Sequence, residues 1–159
     1  MDQPTPSLLL DMVERELARS GAPSEILASI LRAFEATVGT IHRFEPTTET
    51  LELAAAIGLP ETVRKHVERV PVGKGMAGIA AQRRAPVQVC NLQTDDSGVV
   101  RPGARETAVA GSIALPMLVD GELRGTLGVG KSTPHEFDAE ETRVLLAVAT
   151  RLGQSLGTR

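Results

Sequence analysis

Residues 112–130 read SIALPMLVDGELRGTLGVG, two β-rich runs on either side of Asp120 and Gly121. An Asp-Gly pair between apolar runs is a strong signal for a tight hairpin turn. We therefore predict an antiparallel hairpin built from strands over 107–118 and 122–131. This hairpin is the clearest element of the chain, and its two faces indicate where the other elements pack.

The two faces of this hairpin differ in size, because alternate side chains of a strand point to opposite faces. The large face should pack on the helices at the two ends of the chain. The small face either lets a helix approach closely or leaves room for a guest, and the long polar segment 91–104 favours a pocket. The large set is Ile113, Leu115, Met117, Leu127 and Val129, and the small set is Ser112, Ala114, Pro116, Thr126, Gly128 and Gly130.

A glycine-rich segment, VPVGKGMAG over 70–78, precedes a helix-like run over 79–84. It lacks the Gly-x-x-x-x-Gly-Lys-Ser/Thr spacing of a phosphate-binding loop. We interpret Gly73, Gly75 and Gly78 as turn and close-approach positions, since glycine adopts positive φ without strain. Lys74 is expected to face solvent.

The order of predicted elements is helix, helix, strand, strand, helix, helix, strand, loop, strand, strand, helix. Strands that come mostly in hairpins predict an antiparallel sheet and the α+β class. The terminal helices should cover one face, and the segment 61–107 the other. Asp138 and Glu141 resemble a capping box that begins the last helix.

Composition narrows the possible functions of this chain. It has 159 residues, 42% hydrophobic and only 2% aromatic, with no Trp or Tyr, so it offers no aromatic platform for stacking bases. The net charge of −3 makes nucleic acid a poor partner.

One cysteine, Cys90, excludes an internal disulfide, and we expect it to be a small buried hydrophobe. The first residues, MDQPTPS, resemble no signal peptide, and no apolar run suits a membrane span, so the cytoplasm is the expected location.

Taken together, the ordered segments resemble the GAF domain family. The segments are VGTIHRFEP, LELAAAIGLP, VPVGKGMAGIAAQRRAPVQVCNLQTD, GSIALPMLVDGELRGTLGVG and the helix after HEFDAEE. The resemblance gives a GAF domain over 24–157, preceded by an N-terminal helix and connector over 1–23. It implies a six-stranded antiparallel sheet, related in plan to PAS domains, with terminal helices on one face and short helices and loops on the other.

The resemblance also implies a ligand site between the sheet and the segment after the glycine-rich turn. The positions that it assigns to ligand binding are Met76, Ala77, Cys90, Asn91, Arg101, Arg105, Val109, Ser112 and Gly128. Arg101 and Arg105 favour an anionic group on the small molecule. The identity of the ligand, and any cofactor, stays unknown.

Departures from the family separate the possible functions. Cyclic-nucleotide-binding members resemble an Asn-Lys, Phe, Asp-Glu pattern, but Gly130 stands where the Asn belongs beside Lys131. Free methionine sulfoxide reductases of the family use several cysteines, because a second thiol must resolve the sulfenic acid. Cys90 has no partner thiol, and it lies on a strand rather than on the loop that suits a covalently held pigment.

The remaining candidate chemistry is scattered. His42, His66 and His135 show no short metal-ligand spacing, so no metal site is predicted. His42 faces either the pocket or the helix layer. The adjacent carboxylates Asp95 and Asp96 diverge on a loop and form no acid/base pair.

We therefore expect a non-catalytic sensory domain that binds a small molecule and signals through its terminal helices, without nucleic acid or membrane partners. The alternatives are a dimerisation or protein-interaction module without ligand, and a methionine sulfoxide reductase-like enzyme. A homodimer with a possible signalling partner protein is predicted. Its interface is assigned to apolar helix residues Leu9, Val13, Leu17, Leu145 and Leu152.

Overall fold

A computed structural model describes residues 6–19, 21–95 and 108–156 of the chain. Arg101 and Arg105 lie outside the described residues. None of the helices within these ranges is both long and apolar enough to cross a bilayer. In chain order, the elements are α1 (Pro6–Arg19), α2 (Pro23–Phe34), β1 (Val38–Glu45), β2 (Thr50–Ile57), α3 (Glu61–Val67), β3 (Arg69–Pro71), α4 (Gly75–Arg83), β4 (Val87–Val89), β5 (Ser112–Val119), β6 (Glu122–Gly130) and α5 (Ala139–Leu156).

The strands form one six-stranded sheet in the order β3-β2-β1-β6-β5-β4. Every neighbouring pair is antiparallel, which confirms the predicted fold class. β5 and β6 join through Asp120 (φ 52°) and Gly121 (φ 80°), and Val119 pairs with Glu122. Positive φ at both turn residues matches the right-handed twist of the flanking strands.

Two elements differ from the sequence-based predictions. β3 was missed, because a three-residue edge strand that ends in Pro71 carries no alternating pattern. Because β3 begins at Arg69, the short helix before it, α3, ends at Val67. β5 begins at Ser112 rather than at 107, after a turn at Ala108, whose φ is 60°.

The large face of the hairpin packs against α1, α2 and α5, as its alternation predicts. Ile113, Leu115, Met117, Leu127 and Val129 are all buried in one core with the apolar faces of these helices. At the start of α5, the Asp138 N–H donates to Glu141 Oε1 (3.0 Å), and the Glu141 N–H donates to Asp138 Oδ1 (2.8 Å). This reciprocal capping box confirms the predicted helix start.

The side chains assigned to a dimer interface belong to the same internal core. Leu9, Val13, Leu145 and Leu152 are each at most 2% exposed within the single chain, and Leu17 packs against them. In the single chain, Leu9, Val13, Leu145 and Leu152 are therefore covered by its own core, and Leu17 is half-buried, so their assignment to an interface stays a prediction. A homodimer stays a prediction as well.

The small face is covered by α3 and α4, and the glycine-rich segment sets how closely α4 approaches. Gly73 (φ 96°) and Gly75 (φ 67°) take positive φ, as predicted. The Gly73 N–H donates to the carbonyl oxygen of Gly78 (2.8 Å), which closes the turn onto the helix. A Cβ on Gly78 would lie 2.5 Å from the carbonyl oxygen of Pro71, so only glycine fits between α4 and β3.

We predict that Gly78→Ala lowers the free energy of unfolding by about 1–3 kcal/mol, because backbone rather than a flexible side chain must move to admit the methyl group. Urea denaturation followed by circular dichroism measures the change. The matched control is Gln82→Ala, at an exposed position of the same helix, which should alter stability by less than about 0.5 kcal/mol. Equal stability of Gly78→Ala and the wild type would contradict this account of the close approach.

Candidate functional site

A cavity of about 350 Å³ lies between the small face of the sheet and the segment that contains α3 and α4. This volume falls within the range of about 300–1,000 Å³ typical of small-molecule sites. The lining comes from Val38, Gly39, Thr40, His42, Leu59, Val63, His66, Val67, Val70, Lys74, Gly75, Met76, Ala77, Leu92, Val109, Ser112, Ile113, Ala114, Gly128, Val129 and Gly130.

The floor of the cavity is a glycine-bearing row across three strands. Gly128 on β6 pairs with Thr40 on β1 and with Ala114 on β5. A Cβ at Gly128 would lie 2.6 Å from Thr40 Oγ1. One strand position further along, Gly130 pairs with Ser112, and a Cβ there would lie 2.9 Å from Val109 Cγ1. Glycine at these positions therefore keeps the backbone of β6 open to the cavity.

The roof comes from the middle of the chain, mainly from aliphatic side chains. Val63 and Val67 belong to α3, and Met76 lies in the first turn of α4. Val70 adds a side wall from the edge strand β3. Within the described part of the chain, the lining contains no phenyl ring and no carboxylate. The exposed side chains of Lys74 and His66 stand at its edge.

The structure places the predicted ligand-binding residues in two groups. Met76, Ala77, Val109, Ser112 and Gly128 line the cavity. Cys90 and Asn91 do not line it, so the structure gives these two assignments no support and they stay predictions. In β4, Val87 and Val89 face inward, and Cys90 follows at an exposed position, so it is not the buried hydrophobe expected from the sequence. Asn91 closes a turn instead, and its Oδ1 accepts the Gln93 N–H at 3.1 Å.

His42 faces the cavity side of the sheet, which resolves the alternative left open by the sequence. The residue is 2% exposed, and its Nε2 lies 2.8 Å from the carbonyl oxygen of Val67. Because a carbonyl only accepts, Nε2 carries the proton and Nδ1 does not. Burial lowers the pKa of His42, outweighing the opposing effects of the Val67 bond and of Glu52. The neutral ring thus ties the last residue of α3 to the sheet.

The site lacked an obvious signal in the sequence at several positions. Thr40 and His42 share the cavity face of β1, but that face depends on the register of β1 against β6 and on an irregularity between Ile41 and His42 in its pairing with β2. The roof residue Val63 and the side-wall residue Val70 follow a helix and a strand too short to show periodicity. For the floor of the cavity, the alternation of side chains along β5 and β6 was the one sequence pattern that predicted which residues face it.

A second, open groove of about 880 Å³ lies at the other end of the sheet, but its charges are already balanced. It contains Arg43, Arg84 and Arg124 together with Glu45, Glu49 and Glu122. Arg84 Nη1 donates to the carbonyl oxygen of Gly121, and Arg124 Nη2 lies 3.3 Å from Glu122 Oε2. Among the described residues, no three His, Cys, Asp or Glu side chains converge to hold a metal ion. The mainly apolar cavity between the sheet and the segment with α3 and α4 is therefore the candidate site.

We predict that the buried neutral state of His42 makes the fold less stable in acid. The pKa of His42 is lower in the folded chain than the ordinary value of about 6.5 in the unfolded chain, so the unfolded chain binds more protons. The free energy of unfolding should therefore decrease as the pH falls below about 6.5. His42→Gln keeps an N–H for Val67 but cannot titrate, so its stability should depend less on pH in this window.

Urea titrations of both proteins between pH 8 and pH 5 measure this difference. Identical pH dependence of the two proteins below pH 6.5 would contradict the assignment of a neutral buried imidazole at position 42.

Comparison with known proteins extends over nearly the whole chain. The sequence model of the GAF domain matches residues 22–156. A search of curated proteins found no match.

Solved structures with the same fold come from proteins of different activity. A GAF domain of a phosphoenolpyruvate-protein phosphotransferase from Coxiella burnetii superposes with a TM-score of 0.77 at 20% identity, covering 96% of this chain and 93% of that one. The corresponding domain from Acinetobacter gives 0.73 at 18% identity, with coverage of 94% and 93%. Free methionine-R-sulfoxide reductase from Neisseria meningitidis, in complex with its substrate, gives 0.79 at 19% identity, with coverage of 99% and 93%. At these identities, the likeness establishes the fold.

Proposed function

Since the chain belongs to the GAF domain family, we propose that it is a non-catalytic sensory domain that binds a small molecule in the cavity between the sheet and the segment with α3 and α4. The observation that carries this proposal is the cavity of about 350 Å³ over a floor kept open by Gly128 and Gly130. A domain that served only as a packing or interaction module would gain stability by filling this space, because empty apolar volume forfeits packing energy.

The sheet that floors the cavity is also the wall against which the terminal helices pack. Gly39 lines the cavity, while a Cβ on its opposite side would lie 2.8 Å from Leu27 Cδ1 and 2.9 Å from Leu31 Cδ2. Ile113 and Val129 likewise contribute to the cavity lining and to the helix-side core. A single layer of backbone therefore separates the guest from α2 and α5.

This arrangement supports signalling by a shift between two packings of the domain. A close-packed core does not deform continuously, so a backbone displacement on the cavity side favours one arrangement of helices over another. The guest produces such a shift only if it binds one arrangement more tightly. The described cavity walls include a long side chain with several rotatable bonds, that of Met76. They also include strand backbone, at Gly39 and Gly128, which is held by the sheet.

The test of binding uses a substitution that fills the cavity. Ser112→Phe places a ring in the space over Gly130, whereas the control Ser112→Ala removes the hydroxyl and leaves the space open. Gently purified wild type and Ser112→Ala should carry a guest in native mass spectrometry, and Ser112→Phe should not. An unliganded mass for all three proteins, with no stabilisation by any compound in a thermal-shift metabolite screen, would argue for an interaction module without ligand.

The position of Cys90 supports the non-catalytic part of the proposal against the reductase alternative. Reduction of a sulfoxide begins with thiolate attack at the sulfur, which requires a thiol beside the bound substrate. Cys90, the only cysteine of the chain, is exposed and does not line the cavity. A second thiol to resolve the resulting sulfenic acid is absent from the sequence.

We predict no turnover of free methionine sulfoxide when the full chain is supplied with a thiol reductant. Wild type and Cys90→Ser should give the same background rate of methionine formation, measured by chromatography. A rate that exceeds background in the wild type and disappears in Cys90→Ser would show an enzyme and would replace the proposal.

A further inference from the structure

We infer that the guest of the cavity has an aliphatic body with a hydroxyl or carbonyl group that meets Thr40, and that it is neither a nucleotide nor an aromatic pigment. The inference rests on the proposed function of the cavity and names the chemical class that its described walls select. It follows from three properties of those walls: the nature of their apolar surface, the state of their hydroxyl groups and the placement of their charges.

The apolar surface of the cavity is almost entirely branched aliphatic. Val63 and Val67 on α3 form the roof with Met76 on α4. Val38, Val70 and Val109 add aliphatic walls. Nucleobases and flat pigments are usually held by stacking on aromatic faces, which bind any π-face. The described walls hold no phenyl ring, and their two imidazoles are His42, which is buried and bonded to Val67, and His66, which is exposed at the edge. Valine methyl groups instead form an uneven aliphatic surface, which packs better against a saturated hydrocarbon group of the guest than against a flat ring.

Two hydroxyl groups face the cavity and lack partners. Thr40 and Ser112 line the cavity, and within the described residues neither hydroxyl makes a hydrogen bond to the protein. Thr40 stands on the floor itself, where its Oγ1 lies beside the bare backbone of Gly128. A hydroxyl both donates and accepts, so an alcohol or a carbonyl group of the guest satisfies it. Leaving such a group unpaired once the guest excludes water costs free energy.

The charges near the cavity argue against an ionised group deep inside it. The described lining has no carboxylate, and His42 is neutral because burial lowers its pKa. Lys74, the ammonium group among the lining residues, is exposed at the edge. An ionised group over the Thr40–Gly128 floor would lose its hydration without meeting a counter-charge from the described residues of that floor. The part of the guest that reaches the floor is therefore uncharged.

The experiment compares matched probes by methyl nuclear magnetic resonance of the full chain labelled at Val and Leu methyl groups. The probes are cyclohexanol, water saturated with cyclohexane, and cyclic GMP. Cyclohexanol should displace the resonances of Val63, Val70 and Val109. Thr40→Val, which retains the shape of the side chain, should weaken cyclohexanol binding about two- to tenfold and leave cyclohexane binding unchanged.

Two further variants keep the test decisive. The control Thr37→Val replaces an exposed threonine outside the cavity and should leave both affinities unchanged. Thr40→Ser restores a hydroxyl and should recover cyclohexanol affinity, which separates loss of the hydrogen bond from altered packing.

The outcomes distinguish this inference from the proposed function. Equal weakening of cyclohexanol and cyclohexane by Thr40→Val, or tighter binding of cyclic GMP than of cyclohexanol at these methyl groups, would overturn the assigned class while the cavity remained a binding site. If no probe moved the methyl resonances and no guest were retained in native mass spectrometry, the proposed function itself would fail.

Discussion

The structure depends on the pairing register of β5 and β6, which gives the sheet one large and one small face. Leu115 lies opposite Leu127, and Ala114 lies opposite Gly128. Because side chains alternate along a strand, a slip of one residue would bring the glycines to the helix side and the leucines to the cavity side. Burial of the leucine row against α2 and α5 therefore also fixes the open floor on the other side. The helix-side core and the cavity are two consequences of one register.

This dependence explains how much of the fold the sequence predicted. The hairpin, its unequal faces and the start of α5 follow from local signals: an Asp-Gly turn, strict alternation, and the Asp138–Glu141 pair. β3 has three residues and pairs with β2 only because α3 and the turn at Gly58 bring it there. The apolar stripes of α1 and α5 were correctly identified, but a stripe shows only that a helix is covered. It does not show whether the same chain or a second copy covers it.

The site follows the same division between local and tertiary signals. Alternation within one hairpin placed Ser112 and Gly128 on the small face of the sheet. The family resemblance then assigned both to the ligand, together with Met76 and Ala77 of the glycine-rich segment, and all four line the cavity. The role of His42 could not be predicted, because its hydrogen bond reaches Val67, a residue 25 positions away, and its orientation depends on the β1–β6 register. Cys90 was misplaced for a simpler reason. It follows the inward-facing Val89 by one position, and alternation turns it outward.

His42 connects the two halves of the domain and bears on how a guest would be sensed. Its side chain stands on β1, two residues from Thr40 on the floor, and its ring holds the end of α3 in the roof. At the adjacent position, Gly39, α2 packs closely on the strand: a Cβ there would lie 2.8 Å from Leu27 Cδ1 and 2.9 Å from Leu31 Cδ2. A guest that pressed on Thr40 would therefore act on a strand joined to the roof by one bond and to the terminal helices by close packing. Since α3 has only seven residues and depends on such tertiary contacts for its stability, movement of β1 should be felt at both sides of the sheet.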